Sequence, residues 1–354
     1  MSSFHNFSTM EEKMKKRQDI IIKSPCKEMT LPKNVALPDF VWEEGLKNHP
    51  DKLALVNGAT GRSYTYQEGH DSCKKFAIAL MALGIEKGDV VALFMPNSPE
   101  FIVSLLGVAG IGAITTTINH NSTPYEVSQQ LEASNTRVVV TTPFLTDIAE
   151  NAIKKTSLAV RIILLDEDED KDDATYLKYQ KMINHVPKDV VEEFQFQSDT
   201  WNETAFLPYS SGTTGRPKGV MLTTQNLVSS IYLTVYGEKL DFIKLATDTF
   251  QSKTICVLPM FHVVGSIMTS MPTLRAGGQV ITIPKFKPDL YATTLEKFKP
   301  TFLHLVPPLL TFLATDERIT SKHLDSVENV TVNFQCICSN QGCITLFCRI
   351  RDHI

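Results

Sequence analysis

The densest set of groups that could bind phosphate lies in one eleven-residue run, YSSGTTGRPKG, at residues 209–219. Hydroxyl groups and exposed backbone N–H groups can surround phosphate oxygens, and glycines let the backbone approach them closely. A lysine adds a mobile positive charge. The run therefore predicts a polyphosphate-binding loop, whose candidate ligands are Ser210, Ser211, Gly212, Thr213, Thr214, Gly215 and Lys218.

Two other interpretations of this run imply different chemistry. A Walker A loop has four residues between its first Gly and a Gly-Lys pair that Ser or Thr follows, and the spacing G-x-x-G-x-x-K-G does not match it. A flexible Ser/Thr/Gly linker is the other alternative. The apolar runs 205–207 and 220–222 favour a loop held between two strands, and Thr223 or Thr224 could cap the helix that follows.

The run resembles the signature loop of the AMP-forming acyl- and aryl-CoA synthetases, a family that includes coumarate–CoA ligases, firefly luciferase and adenylation domains. Other segments are similar to motifs of the same family: 51–56, 64–66, 84–92, 96–100, 258–262 and 284–286. The resemblance covers residues 38–332. It implies an α/β fold, namely the N-terminal large domain of the acyl-adenylate-forming enzymes with two interleaved α/β subdomains.

The resemblance also implies a function, that of an ATP-dependent carboxylate–CoA ligase. In this family a carboxylate attacks the α-phosphate of ATP, pyrophosphate leaves, and the thiol of coenzyme A then attacks the acyl-adenylate. By the same resemblance the loop contacts ATP, His262 is the catalytic candidate beside the acyl group and the α-phosphate, and Lys285 contacts phosphates of coenzyme A. A surface or core histidine and a solvated lysine are the ordinary alternatives for these two residues.

The substrate implied by the resemblance is a carboxylic acid, either fatty or aromatic. Val264 stands where coumarate–CoA ligases carry an aromatic residue, and Met268 replaces a small polar residue expected at the pocket wall. A fatty or other apolar acid therefore fits the sequence at least as well as a hydroxycinnamate.

The resemblance stops after residue 332. The family's adenine-binding turn, the glutamate that helps to hold Mg²⁺, the ribose-binding pair and the lid with the adenylation lysine have no counterpart here. We therefore expect a truncated and catalytically incomplete ligase that lacks the C-terminal lid domain, with a non-catalytic nucleotide-binding fragment as the alternative. A kinase of another class would need Walker spacing and magnesium-binding acids. The expected divisions are a leader (1–37), the AMP-binding domain (38–332) and a divergent Cys-rich tail (333–354).

Cysteine placement is uneven along the chain. Three cysteines are scattered, as in reduced intracellular proteins. Four crowd the C-terminus: Cys336, Cys338, Cys343 and Cys348. The spacing C-x-C-x4-C-x4-C lacks the paired ligands of a zinc site, so we expect no metal there, although a zinc knuckle is conceivable. The acidic run 166–173 similarly favours a solvated loop over a metal site.

Composition narrows the class of protein further. The 354 residues are 43% hydrophobic, which is enough for two or more packed lobes, and the net charge of −4 offers no basic field for nucleic acid. No apolar run reaches membrane-spanning length, and the N-terminus lacks the apolar core of a secretory signal. Cytoplasmic location is the default expectation. Some full-length relatives are peroxisomal through a C-terminal Ser-Lys-Leu, which is absent here.

Hydrophobic periodicity predicts the elements that must position these residues. Strands are expected at 53–56, 63–66, 89–94, 113–117, 137–141, 160–164, 205–207, 220–222, 254–258, 279–283 and 302–306. Helices are expected at 67–83, 98–110, 124–133, 144–155, 224–236, 265–276, 288–298 and 308–315. This alternation predicts parallel sheets that share one crevice.

Overall fold

The computed structural model describes residues 28–165, 176–210, 217–237, 243–334 and 344–349, with backbone alone for 333–334 and 344–349. The strands in chain order are β1 (Leu53–Asn57), β2 (Ser63–Thr65), β3 (Val90–Phe94), β4 (Ile114–Thr117), β5 (Thr136–Thr141), β6 (Arg161–Leu164), β7 (Leu177–Lys178), β8 (Thr204–Ser210), β9 (Lys218–Gly219), β10 (Leu222–Thr223), β11 (Lys253–Cys256), β12 (Gln279–Thr282), β13 (Phe302–Leu305), β14 (Asn329–Phe334) and β15 (Ile344–Arg349).

The α-helices of the described residues alternate with these strands. They are α1 (Leu37–Asn48), α2 (Tyr66–Ala82), α3 (Pro99–Ala109), α4 (Pro124–Ser134), α5 (Thr146–Ile153), α6 (Tyr179–Asn184), α7 (Lys188–Glu193), α8 (Thr224–Tyr236), α9 (Met271–Arg275), α10 (Pro288–Phe298), α11 (Pro307–Thr315) and α12 (Ser321–Leu324). A 3₁₀ turn (Pro143–Leu145) precedes α5, and a π-helix (Val264–Ser270) precedes α9.

The strands form two sheets. The first has the order β15-β14-β13-β11-β12-β1-β2, in which only the edge strands β2 and β15 pair antiparallel. The second has the order β10-β8-β4-β3-β5-β6-β7, is parallel from β8 to β7, and carries β9 and β10 antiparallel along the outer edge of β8. The strands of the second sheet lie in sequence between β2 and β11 of the first. The predicted interleaved α/β subdomains are therefore confirmed.

The described elements stack in the order helix, sheet, helix, sheet, helix. Helices α1, α2 and α3 bury apolar side chains between the two sheets. Helices α4 and α5 cover the far side of the second sheet, and α10 and α11 cover the far side of the first. Alternation within β3 shows the two faces, because Val91 and Leu93 join the central core while Ala92 and Phe94 join the outer one. Burial on both faces explains why these strands are continuous apolar runs.

A buried ion pair joins the edge of the first sheet to the start of α3. The Arg62 guanidinium lies 2.9 Å from a carboxylate oxygen of Glu100, and the Tyr64 hydroxyl donates to the same oxygen over 3.0 Å. Glu100 is buried, in the first turn of α3, where the helix dipole favours a negative charge. Burial and the Glu100 charge raise the pKa of Tyr64 far above its ordinary value. The hydroxyl therefore stays protonated and can donate this bond.

Two predicted helices and one predicted strand differ most from the structure. The segment predicted as a helix over 144–155 begins as a 3₁₀ turn and ends at Ile153, and the one predicted over 265–276 is a π-helix followed by a short α-helix. The segment 220–222 follows β8 antiparallel, with Val220 N donating to Pro208 O over 2.9 Å, but regular strand pairing holds only at β9 and β10. Val220 and Met221 are exposed because this run lies on the free edge of the sheet.

Other sequence-based expectations agree closely with the structure. Helix α8 spans the predicted residues, and Thr223 is its cap, since its hydroxyl accepts from Asn226 N over 3.2 Å.

Strand β15 lies in the segment expected to diverge and was not predicted. Within the described part of the chain, every helix is too short or too polar to cross a membrane.

Tyr66→Phe tests the link between α2 and the first sheet. The fully buried Tyr66 hydroxyl lies 3.0 Å from Leu274 O and 2.6 Å from Gly278 O, just before β12. Removing it leaves two buried carbonyls without this donor, so we expect a loss of about 1–3 kcal/mol in the free energy of unfolding, measured by urea denaturation. Tyr125→Phe, at an exposed tyrosine, is the matched control and should change little. Equal effects of the two substitutions would contradict this assignment.

Candidate active site

The predicted phosphate loop begins and ends on paired strands. Ser210, the last residue of β8, pairs antiparallel with Lys218 of β9, and Tyr209 pairs with Gly219. Both Ser210 and Lys218 are exposed. The loop's other predicted ligands, Ser211, Gly212, Thr213, Thr214 and Gly215, lie outside the described residues. A hairpin therefore fixes the two ends of the loop at the carboxyl end of β8.

Strand β4 places a second set of polar residues beside this hairpin. Thr117 of β4 is opposite Pro208 of β8 in a parallel register, so the chain leaves both strands at the same edge. The Thr116 hydroxyl donates to Leu207 O over 2.9 Å and accepts from the Gln130 side chain of α4 over 3.0 Å. In open α/β sheets this carboxyl edge is where ligands bind.

The Asn97 side chain, which follows β3, holds the segment that leads to His262. Its Nδ2 donates to Leu258 O over 2.9 Å and to Cys256 O over 3.2 Å, and its Oδ1 accepts from Met260 N over 2.7 Å. Asn97 is buried, so these backbone groups have no access to bulk water and depend on the amide. One residue of the second sheet therefore fixes the loop that follows β11 of the first.

Thr117 adds a second connection between the two sheets. Its hydroxyl donates to Phe261 O over 2.7 Å, directly before His262 in the chain. The carboxyl edges of β4 and β11 therefore meet at this point. The predicted phosphate loop lies on one side of this junction and His262 lies on the other.

His262 is exposed at the junction, yet enough of its ring is withdrawn from water that burial lowers the pKa of the imidazole. Val264 N donates to Nδ1 over 3.3 Å, which requires the neutral tautomer with its proton on Nε2. Nε2–H is therefore free to donate to a ligand oxygen. This geometry suits a hydrogen-bond donor better than a base.

The π-helix after His262 is held by hydroxyl groups that bond five residues back. Thr269 Oγ1 donates to Val264 O over 2.8 Å, and Ser270 Oγ donates to Gly265 O over 2.7 Å. Gly265 lies against the preceding loop, where a Cβ would come within 2.5 Å of Pro259 O, so only glycine fits there. Short π-helices are frequent at functional sites. Here the π-helix begins two residues after His262 and carries the apolar side chains of Val264 and Met268.

Lys285 and His120 complete the polar groups at the meeting edges. Lys285 is exposed and follows β12, the neighbour of β11. His120 follows β4, and its ring packs edge-on against Phe261 with a centroid separation of 5.7 Å. Burial and the charge of Lys285 lower the pKa of the His120 imidazole, in that order of size. Both effects favour the neutral form of the His120 ring.

Three of these residues, Asn97, Thr117 and His120, were not predicted as site residues from the sequence. Asn97 lies in the segment 96–100 that carries part of the resemblance, so that motif was a signal for it. Thr117 and His120 carry no local signal, because their roles depend on Phe261 and Lys285 from the other sheet. By contrast, Arg137 and Arg275, which nothing in the sequence distinguished, make ion pairs with Asp89 and Glu43.

A cavity lined by described residues lies elsewhere. It has a volume of about 280 Å³ and is lined by residues that include Asp89, Asn135 and Met221. These lie at the amino ends of β3 and β5 and on the edge beside β8, at the opposite edge of the sheet from His120. The polar residues at the meeting edges, such as His262, Lys285 and His120, therefore do not line this cavity.

No three His, Cys, Asp or Glu side chains in the described ranges are grouped so that they could hold a metal ion. These residues therefore supply no complete ligand set for the magnesium that the resemblance implies. Among the described residues at the meeting edges, Lys218 and Lys285 carry positive charge.

Comparison with known proteins decides the family. The family model described as AMP-binding enzyme matches residues 42–337. The chain belongs to this AMP-binding enzyme family. The match includes both sheets up to β14, together with the hairpin, Asn97, His262 and Lys285.

Relatives of the AMP-binding chain include two 4-coumarate–CoA ligases. Ligase 3 of Arabidopsis thaliana is 33% identical over 88% of this chain and 53% of its own length, and ligase 1 of Petroselinum crispum is 33% identical over 89% and 55%. The ATP-bound crystal structure of MatB from Rhodopseudomonas palustris has a TM-score of 0.69 at 27% identity, over 83% of this chain and 54% of MatB. The fold is that of the adenylate-forming enzymes, and the chain spans about half the length of the curated relatives it matches.

Asn97→Ala tests the junction between the two sheets of the AMP-binding domain. Three backbone groups lose their buried partner, so we expect the free energy of unfolding to fall by about 1–3 kcal/mol. The imidazole NMR signal of His262 should also shift, because the segment before it is released. Asn48→Ala, at an exposed position whose amide bonds to Glu44, is the control and should change neither quantity. An unmoved His262 signal in Asn97→Ala would show that the amide does not position this residue.

Proposed function

We propose that this AMP-binding domain activates a carboxylic acid with ATP, as part of an ATP-dependent carboxylate–CoA ligase. The observation that carries the proposal is the meeting of two carboxyl edges, one with the hairpin of the phosphate loop and the other with His262. In that arrangement a polyphosphate bound at the hairpin lies beside an acid bound at His262. The matched relatives whose names state a CoA ligase activity support the same reaction class.

The proposed reaction has two steps. A carboxylate oxygen forms a bond to the α-phosphorus of ATP, the bond to pyrophosphate breaks, and an acyl-adenylate results. The sulfur of coenzyme A then bonds to the acyl carbon, the thiol proton passes to solvent, and AMP leaves with the bonding electrons. Since the first step brings two anions together, donors and cations around the phosphates must lower its barrier.

Four site residues that the structure describes have a defined part in this proposal. Ser210 and Lys218 hold the phosphates at the ends of the loop. The Nε2–H of His262 donates to an oxygen of the acid or of the α-phosphate, and it moves no proton in the reaction. Lys285 contacts phosphates of coenzyme A. Magnesium bound with the nucleotide would supply positive charge that stabilises the leaving pyrophosphate.

The acid that we propose is apolar. Val264 and Met268 offer aliphatic side chains on the π-helix next to His262, and Met268 is 38% exposed, so it is available for contact. A fatty acid fits such a wall as well as an aromatic acid. We propose the cytoplasm as the compartment, since the described cysteines Cys73 and Cys256 are unpaired thiols.

An ATP–pyrophosphate exchange assay on the full chain tests this function. Short, medium and long fatty acids, hydroxycinnamates and malonate form the panel of acids. Acid-dependent exchange would support the ligase proposal and identify the acid. ATP binding without exchange would favour the alternative of a non-catalytic nucleotide-binding fragment, and absence of ATP binding would reject both.

Lys218→Ala should weaken ATP binding about tenfold, because a positive charge at the end of the phosphate loop is lost. Calorimetric titration of ATP measures this directly. Lys188→Ala is the charge-matched control, since Lys188 is exposed on α7 and pairs only with Glu192 among the described residues. Equal ATP affinities of the two variants would show that Lys218 does not contribute to nucleotide binding.

His262→Ala should lower the exchange rate on the order of a hundredfold, the usual effect of removing one donor to a developing charge, with a smaller change in ATP affinity. His262→Gln keeps an N–H donor and should restore part of the rate. A glutamine variant as slow as the alanine variant would contradict a role as a simple donor.

A further inference from the structure

One buried polar atom at the meeting edges has no partner. His120 Nδ1 is shielded from solvent and makes no hydrogen bond within the described structure. Such atoms are rare in folded proteins, because an unpaired buried donor or acceptor costs free energy. Packing of the ring against Phe261 explains why the imidazole is held in place, but it leaves the nitrogen unpaired.

The position of His120 indicates what partner would suit it. The residue lies three positions after Thr117, which is opposite Pro208, and Ser210 at the start of the phosphate loop lies two positions after Pro208. The chain therefore leaves β4 next to the start of the phosphate loop and reaches His120 three residues later. The charge of Lys285, which follows β12 of the first sheet, contributes to the lowered pKa of His120, so an anion that contacts both groups would meet a cation and an imidazole N–H.

We propose that His120 and Lys285 together bind a phosphoryl group. This inference rests on the proposed function, because the phosphoryl group belongs either to the polyphosphate of ATP or to coenzyme A. His120 adds a titratable side chain to the proposed site, so the affinity of the protein for the ligand depends on pH.

The direction of the pH dependence follows from the charges around His120. Without ligand, burial and Lys285 lower its pKa, so the ring is neutral at pH 7. A bound phosphoryl anion opposes both effects and raises the pKa, so binding takes up a proton between the two values. Affinity should therefore increase as the pH falls through this range. Among the other titratable groups of these segments, His262 directly follows Phe261, against which the His120 ring packs, Lys218 pairs with Ser210, and Glu126 of α4 accepts from Thr123 N.

Calorimetric titration of pyrophosphate at pH 5.5, 6.5 and 7.5, in two buffers of different ionisation enthalpy, tests the inference. The full chain should bind with uptake of a proton fraction that His120→Gln lacks. The variant should also lose about fivefold to tenfold in affinity at pH 5.5, because it lacks the charge that the protonated imidazole presents to the anion. Pyrophosphate itself titrates, so only the difference between the proteins is interpreted. His185→Gln, at an exposed histidine after α6, is the control.

A parallel titration with adenosine 3′,5′-bisphosphate distinguishes the two sources. An effect of His120→Gln on pyrophosphate alone assigns the contact to ATP, and an effect on the bisphosphate alone assigns it to coenzyme A. Should the glutamine variant fail to fold, NMR titration of the His120 imidazole in the unaltered chain, with and without each ligand, replaces it. A rise in its pKa with either ligand supports the inference.

Two results would overturn the inference and they are distinguishable. If His120→Gln binds both ligands like the unaltered chain while Lys218→Ala still weakens ATP binding, the His120 inference fails and the proposed function stands. If the unaltered chain binds neither ATP nor pyrophosphate, both fail together.

Discussion

The Asn97 carboxamide is the contact on which the geometry of the candidate active site depends. It satisfies three backbone groups of the segment 256–260 and belongs to the other sheet. Sliding one sheet against the other would break all three bonds in a buried place where water cannot replace them. The location of His262 is therefore set from outside its own subdomain, and Thr117 reinforces that position.

The layered core makes such a junction necessary. Helices between the sheets, α1, α2 and α3 among them, bury apolar side chains against both, so the faces of the sheets are occupied by packing. Only the ends of the strands have side chains left for ligands. Two sheets with separate edges can form one site only if something holds the edges together, and Asn97 and Thr117 do so.

Much of the architecture could be predicted from periodicity, because helices and buried strands leave different spacings of apolar residues. Helix α10 was predicted with its bounds, since Pro288 begins it and apolar positions recur at helical spacing. The π-helix was not, because propensity does not distinguish a bond four residues back from the bonds that Thr269 and Ser270 make five residues back. Strand order was equally hidden, since it depends on which faces meet.

The candidate site was predicted only in part, for a similar reason. The phosphate loop, His262 and Lys285 are recognised through local motifs that resemble a family. His120 belongs to no such motif, and its environment exists only once β4, the loop after β11 and the end of β12 have come together. Residues of this kind are found from contacts between distant segments and not from sequence spacing.

The position of β1 has a consequence for how the polypeptide acquires its structure. Leu55 pairs with Val280, a separation of 225 residues (280 − 55), and the whole second sheet lies between them. Closing so long a loop is entropically slow, and contacts between remote segments delay folding. During synthesis on the ribosome, β1 therefore waits without its parallel neighbour until β12 has emerged, whereas the second sheet has all its strands much earlier. The subdomain that carries the phosphate loop is free to assemble first and to serve as the template on which the other is completed.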